Sequence, residues 1–282
     1  MPSTKKAFKG FKIMVRSRHP SHSPLRKTLS RLMFRTLVRL GSLWAGDTKD
    51  RIECNSAESV KISANKLLMK QAFNKLNVIT SDWFVINNQT AVNMNGQQTN
   101  INIVDLPFPL VAKHIHGSRG TGNYLIKTHE QLTTWLQGKN LNNYIFERFY
   151  NYPREYRLHV TTKKCFYTCR KMLKSDTPDN KRWYRNDSNS VWVLEDNPSF
   201  DKPVNWDTIT AQAVLALKAV GLDIGAIDVK VQSSTNSDEQ TRPNPKFIIL
   251  ETNSAPSLKT KGLEHYLTEI PTILYDKKHQ IQ

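Results

Sequence analysis

The chain has 282 residues, 38% of them hydrophobic, enough to bury one or two cores and to exclude a largely disordered protein. With 41 Lys and Arg against 24 Asp and Glu, its formal charge of +17 draws anions of every kind, from nucleic acid to phosphates and acidic peptides. No apolar run approaches the roughly 18 to 20 residues of a membrane span, no secretory signal pattern opens the chain, and the three cysteines Cys54, Cys165 and Cys169 exclude a disulfide framework or four-ligand zinc site. A cytoplasmic enzyme is expected.

Charge is uneven along the chain. Met1 to Gly46 contains no acidic residue, while Lys5, Lys6, Lys9, Lys12, Arg16, Arg18, Arg26, Lys27, Arg31, Arg35 and Arg39 all fall there. Residues 11–15 read as a short strand. Ser23-Pro24 then opens a stretch whose Leu25, Leu29, Leu32, Met33 and Leu40 predict an amphipathic helix with Lys27, Arg31, Arg35 and Arg39 on its opposite face. That face is either an ordinary solvated one or a contact for phosphates, a membrane surface or an import receptor. A second helix is expected from Ala57 to Leu76, capped by Ser56 and ended by Asn77.

From Trp83 the texture changes to short β-type runs at 83–86, 110–114, 144–149, 156–161 and 165–170, with helices at 129–137 and 206–220. Two more strands, 226–231 and 246–250, flank a polar hairpin loop at 232–245, and the polar segment 174–190 reads either as a loop over a site or as a plain surface insertion. The fold class is mixed α/β.

Three constellations carry chemistry. Val111-Ala112-Lys113, a strand ending in lysine, precedes Gly117-Ser118-Arg119-Gly120-Thr121-Gly122; such a turn lets backbone N–H groups approach an anion while Lys113 supplies charge. Its spacing fits neither the P-loop nor the Rossmann fingerprint. Asp228, between Ile227 and Val229, and Glu251 and Asn253, after Leu250, are carboxylates and an amide in apolar β-type runs. A buried lone carboxylate needs a cation, and hard oxygen donors suit Mg²⁺, although pairing with one of the many basic residues serves as well. Glu251 and Asn253, two apart, share a strand face. The third group joins Glu147, ending Tyr144-Ile145-Phe146, to Arg154-Glu155-Tyr156-Arg157, a strand, linker and strand able to hold a base, a ribose and phosphates.

In this order the pieces resemble the ATP-grasp superfamily from about Asn55 to Leu258, and in particular carboxylate-amine ligases such as ribosomal-protein glutamate ligases and tubulin tyrosine ligase. Ser63-Ala64-Asn65-Lys66 looks like the first phosphate lysine, Lys113 like the second, and Gly117, Ser118, Gly120, Thr121 and Gly122 like the loop that closes over ATP. Glu147, Arg148 and Phe149 resemble the adenine hinge, Glu155 the ribose carboxylate, and Asp228, Glu251 and Asn253 the paired metal-ligand strands. Arg157 and Arg170 resemble the arginines that act on phosphates and the acyl intermediate. D-alanine ligase carries an arginine where this chain has Ala226, which leaves oxyanion stabilisation to Arg170, with Lys171 and Arg185 as further groups for the substrate carboxylate.

The resemblance implies an ATP-grasp fold of two α+β lobes gripping ATP, residues 81–150 and 151–282, preceded by a small basic α/β domain at 1–80. It implies ATP with Mg²⁺, or Mn²⁺ in its place, and a carboxylate joined to an amine through an acylphosphate, the acceptor being a small molecule, an acidic peptide or nucleic acid. A kinase on the same fold and a nucleic-acid-binding module with a residual ATP site are the alternatives.

Overall fold

A computed structural model describes residues 12–17, 19–30, 34–43, 51–87, 90–96, 98–117, 121–236, 238 and 240–280. The chain opens with β1 (Lys12–Ser17), α1 (Ser23–Ser30), β2 (Phe34–Leu40) and β3 (Ile52–Cys54), a parallel three-stranded sheet in the order β1-β2-β3. The helix expected to run to Leu40 therefore stops at Ser30. Residues 36–40 are all buried, the signature of a central parallel strand covered on both faces, and β-branched Thr36 and Val38 favour that state. Arg39 is correspondingly not on an exposed basic face; its guanidinium lies 2.6 Å from Glu53 and is fully buried. Lys5, Lys6, Lys9, Arg18 and Arg31 lie outside the described residues.

Two helices replace the single one expected at 57–76: α2 (Ala57–Ala64), capped by Ser56 as expected, and α3 (Lys66–Lys75). Asn65 breaks the run because its side chain accepts from Leu68 N at 3.1 Å and becomes a new N-cap. The break turns Lys66 into the first residue of a helix, with its N–H bound to Ile115 O at 2.9 Å.

Next come β4 (Trp83–Asn87), β5 (Thr90–Asn93), β6 (Thr99–Asn102), β7 (Leu110–His114), β8 (Asn123–Ile126), α4 (His129–Leu136) and β9 (Tyr144–Arg148). The strands form an antiparallel sheet in the order β6-β5-β4-β9-β7-β8, packed through Phe84, Leu110, Ile126, Leu132 and Phe146. The third sheet contains β10 (Arg154–Thr161), β11 (Cys165–Leu173), β12 (Ser190–Leu194), β13 (Ile224–Val231) and β14 (Phe247–Asn253), ordered β12-β11-β10-β13-β14 and wholly antiparallel. Helix α5 (Trp206–Ala219) covers one face with Ile209, Ala213 and Leu217, and α2 and α3 join that core through Val60, Met69 and Phe73. A C-terminal helix, α6 (Thr260–His279), not expected from the sequence, packs Tyr266, Ile270 and Leu274 against Leu25, Val38, Leu40 and Cys54. Among the described residues no helix is long and apolar enough to cross a membrane.

The first sheet is locked to the third by Asn55. Its side chain donates to Arg39 O and Ile224 O, both at 3.0 Å, and accepts from Asp223 N at 2.9 Å and Ile224 N at 3.1 Å, all from a left-handed φ of 61° that asparagine tolerates better than most residues. Asn55→Ala is expected to lower stability by about 3 kcal/mol or more, because it orphans several buried backbone groups and strains the turn. The midpoint of urea unfolding measures it.

Candidate active site

Strand alternation builds the floor of a cleft between the second and third sheets. On β10, Arg154, Tyr156 and Leu158 point to the α5 side, so Glu155 and Arg157 share the other face. Register then sets two rows across the sheet: Lys171, Glu155 and Lys230 from β11, β10 and β13, and beside them Arg157, Asp228 and Glu251 from β10, β13 and β14. Charges alternate along much of this surface. Arg157 grips Asp228 with two parallel bonds, Nε to Oδ1 and Nη2 to Oδ2, both 2.7 Å, and Lys171 Nζ lies 3.1 Å from Glu155 and 3.4 Å from Asp228. Burial alone would raise the Asp228 carboxyl, but Arg157 and Lys171 outweigh it and hold the group well below the usual carboxylate range. Trp192, opposite Lys171 on β12, lies under both cations, 4.9 Å from Arg157 and 5.2 Å from Lys171.

The opposite wall comes from the second sheet and from α3. Antiparallel pairing sets Val111 against Glu147, so the Lys113 ammonium, further along β7, reaches Glu147 Oε1 at 2.8 Å. Buried Lys70 reaches Oε2 at 3.1 Å and Ser81 donates to the same oxygen. Burial would raise Glu147, yet Lys113 and Lys70 prevail and bring it to about 2. Lys66, at the start of α3, donates to Gly117 O, and burial lowers its pKa. The turn here needs glycine: a Cβ at Gly117 would collide with Thr121 O, and one at Gly122, where φ is 77°, would lie 2.9 Å from the His114 side chain. Ser118 and Gly120 lie outside the described residues.

Val111, Phe149, Trp183, Tyr184, Ile248 and Leu250 supply an apolar wall to the cleft. Segment 174–190 thus lines the site through Trp183, Tyr184 and Arg185, the last 3.6 Å from Glu155. Arg148 lines the cleft at its outer edge, half exposed and 3.7 Å from Asp82, while Phe149 lies beneath Lys230 at 5.1 Å. Asn253 lies opposite Ala226, with its amide nitrogen buried and without a partner.

The structure thus brings together Lys66, Lys113, Gly117, Thr121, Gly122, Glu147, Glu155, Arg157, Asp228 and Glu251, with Asn253 on the adjoining stretch of β14. It does not bring in Arg170. That side chain lies on the α5 face, where it donates to Ser199 O at 2.8 Å and Phe200 O at 3.3 Å and packs on Tyr156, because it alternates with Lys171, whose ammonium enters the cleft. Sequence reasoning passed over Lys70, Ser81, Trp192 and Lys230. The period-2 rule applied from Asp228 points to Lys230, and four residues beyond Lys66 on the same helix is Lys70.

Lys230 has a measurable signature. Burial pushes its pKa from 10.5 down to about 8, so below pH 8 the folded state carries a charge that the unfolded state carries more easily. Stability therefore rises as pH climbs from about 8 to 10.5, where only the unfolded state still holds the proton. Lys230→Met is expected to stabilise the protein by about 1 to 3 kcal/mol at pH 7 and by far less at pH 10.5, read from urea unfolding at both values.

Among the described residues no three His, Cys, Asp or Glu side chains cluster as a metal site. The two facing carboxylates Asp228 and Glu251 nevertheless fit a hard cation that keeps substrate oxygens in its shell: Asp228 Oδ1 keeps a lone pair beyond the one Arg157 Nε uses, although Oδ2 already accepts from both Arg157 and Lys171. Asn253 would add its amide oxygen, since its unpartnered buried atom, Nδ2, is a donor and no metal ligand.

No protein-family profile matches the sequence, and no curated protein matches it significantly. Solved structures do match. The D-alanine–D-alanine ligase of Bacillus anthracis complexed with ATP superposes with a TM-score of 0.61 over 96% of this chain and 96% of that one, at 13% identity. D-alanine-D-alanine ligase from Coxiella burnetii gives 0.55 over 88% and 70%, at 12% identity. Carboxyaminoimidazole ribonucleotide synthase of Aspergillus clavatus complexed with ATP gives 0.52 over 81% and 55%, at 13% identity. The chain has the ATP-grasp fold.

Proposed function

We propose that this ATP-grasp chain is an ATP-dependent carboxylate-amine ligase. The observation that carries the reading is the meeting, across one cleft, of Lys113 from one side with Lys171, Asp228 and Glu251 from the other, with Lys66 held at the glycine-rich turn and Arg157 paired to Asp228 beside it. Similarity to ATP-complexed ligases supports it. The three parts, residues 1–80, 81–150 and 151–282, are the proposed domains, the first sharing a core with α6.

Phe149, Trp183, Ile248 and Leu250 would sandwich the base, with Glu147, Arg148 and Phe149 as the hinge beside it and Glu155 at the ribose. Lys66, Lys113 and Arg157 would hold the phosphates, with backbone N–H groups of the turn that includes Gly117, Ser118, Gly120, Thr121 and Gly122. Asp228, Glu251 and Asn253 would hold Mg²⁺ or Mn²⁺, which when bound neutralises phosphate charge. A substrate carboxylate oxygen attacks the γ-phosphorus, the bond to the β-γ bridging oxygen breaks, and ADP leaves. The amine lone pair then attacks the acyl carbon, the carbon–oxygen bond to phosphate breaks, and the nitrogen loses a proton to give the amide. Lys171 takes the anion-stabilising role expected of Arg170, because it is the β11 cation that reaches the cleft. Catalysis is positioning and charge neutralisation, and the aromatic segment 183–192 excludes water that would hydrolyse the acylphosphate.

The test measures ADP release with Mg²⁺ and ATP against pools of carboxylates and amines, acidic peptides included, with hydroxylamine as trap. Hydroxamate that depends on one carboxylate pool is expected. ADP release without hydroxamate for any pool would favour a kinase instead.

A further inference from the structure

We propose that Lys70 is the counter-ion that frees Lys113 to exchange between Glu147 and the nucleotide phosphates, a positioning role that rests on the phosphate-binding reading of Lys113. Glu147 is a single carboxylate, 2% exposed, shared by two ammonium groups. They divide its oxygens. Lys70 and Ser81 hold Oε2, and Lys113 holds Oε1.

The two lysines differ in where they can go. The Lys70 side chain is fully buried, while that of Lys113 is 14% exposed and lines the cleft. Lys70 is also fixed independently of Lys113: its ammonium donates to Ser81 at 3.0 Å and to Thr80, whose hydroxyl in turn donates to Ile249 O at 2.7 Å. When Lys113 swings toward a phosphate, Glu147 keeps Lys70 and Ser81 and is never left as an unpaired buried anion, a state that carries a large desolvation penalty. Departure of Lys113 also removes a repelling charge from Lys70, which burial brings down to about 8, so Lys70 holds its proton more firmly at the moment it is needed. Without Lys70, Glu147 becomes a competitor that keeps Lys113 from the nucleotide.

The test is calorimetric titration of the full chain with Mg²⁺ and the β,γ-imido analogue of ATP. Lys70→Met is expected to weaken binding about tenfold or more, and Lys70→Arg, which keeps the charge, to stay within about threefold of the wild type. Against a Glu147→Gln background, Lys70→Met should change affinity by less than about twofold, because no carboxylate remains to hold Lys113. Full affinity in Lys70→Met, or a loss of the same size in the Glu147→Gln background, would overturn the proposal. A Lys70 with a purely structural role predicts that second result. If Lys70→Met alone does not fold, the comparison between Glu147→Gln and the double variant still decides, since neither leaves a buried unpaired carboxylate. Unchanged affinity in Lys113→Ala would instead sink the phosphate reading itself, and would be recognised as that.

Discussion

Arg157→Met unfolds at a urea midpoint lower by about 3 to 5 kcal/mol equivalent and turns ATP over at least a hundredfold more slowly. The stability loss follows from what remains: Asp228, 3% exposed, loses both bonds of a bidentate pair at 2.7 Å, and removing one partner of a buried pair typically has that effect. Lys171, 3.4 Å away, is a second counter-ion and places the expected loss near the lower bound. Because its partners hold Asp228 below the usual carboxylate range, this contribution is complete above the unfolded carboxylate pKa of about 4 and disappears only as pH falls through the depressed folded value. The rate loss follows from removing a charge aimed at the phosphates. Arg157→Lys separates the two effects, since lysine keeps the charge and loses the fork; it should recover stability more than turnover. An Arg157→Met protein with wild-type turnover would exclude this arginine from the reaction.

Glu251→Gln is expected to do the opposite to stability while also ending turnover. Asp228 and Glu251 stand directly opposite each other on β13 and β14, and like charges so placed are destabilising by about 0.2 to 1 kcal/mol. Without metal and nucleotide, the glutamine variant should therefore unfold at a slightly higher temperature than the wild type. ATP turnover should fall at least a hundredfold, as one of two carboxylates proposed for the cation is gone. Thermal unfolding with and without Mg²⁺ and ATP reads both halves: the ligands should raise the wild-type melting temperature and leave that of the variant nearly unmoved. A variant that is less stable in the absence of ligand would mean that Glu251 is a structural partner and not a ligand-binding group.

Where sequence reasoning went astray, long-range packing was responsible. Residues 25–40 have helical spacing, yet 34–40 form a parallel strand covered at 36–40, in which Arg39 is buried against Glu53 and not displayed on a basic face, and a short run of that kind cannot be told from a helix by periodicity alone. The break at Asn65 depends on one side chain choosing a capping bond, which is stabilised by the contact of Lys66 N with Ile115 O. Arg170 and Lys171 are adjacent cations on one strand, and which of them enters the cleft depends on the side of the sheet that α5 covers.

The order of a lysine-ended strand, a glycine-rich turn and carboxylate-bearing strands was legible in the sequence, because it rests on residue chemistry and on the period of a strand, which are local; the phosphate, hinge and metal roles proposed for those pieces came from their resemblance to ATP-grasp ligases. Spacing alone put Glu251 and Asn253 on one face, whereas the shared face of Glu155 and Arg157 became visible only with a strand that begins at Arg154. Tertiary structure alone decided which charges neutralise one another. That Glu147 is shared by Lys113 and Lys70, that Arg157 locks Asp228, and that Lys230 lies buried over Phe149 all depend on registers and crossings between segments distant in the chain, and burial, which sets the strength of each pair, exists only once those segments have packed.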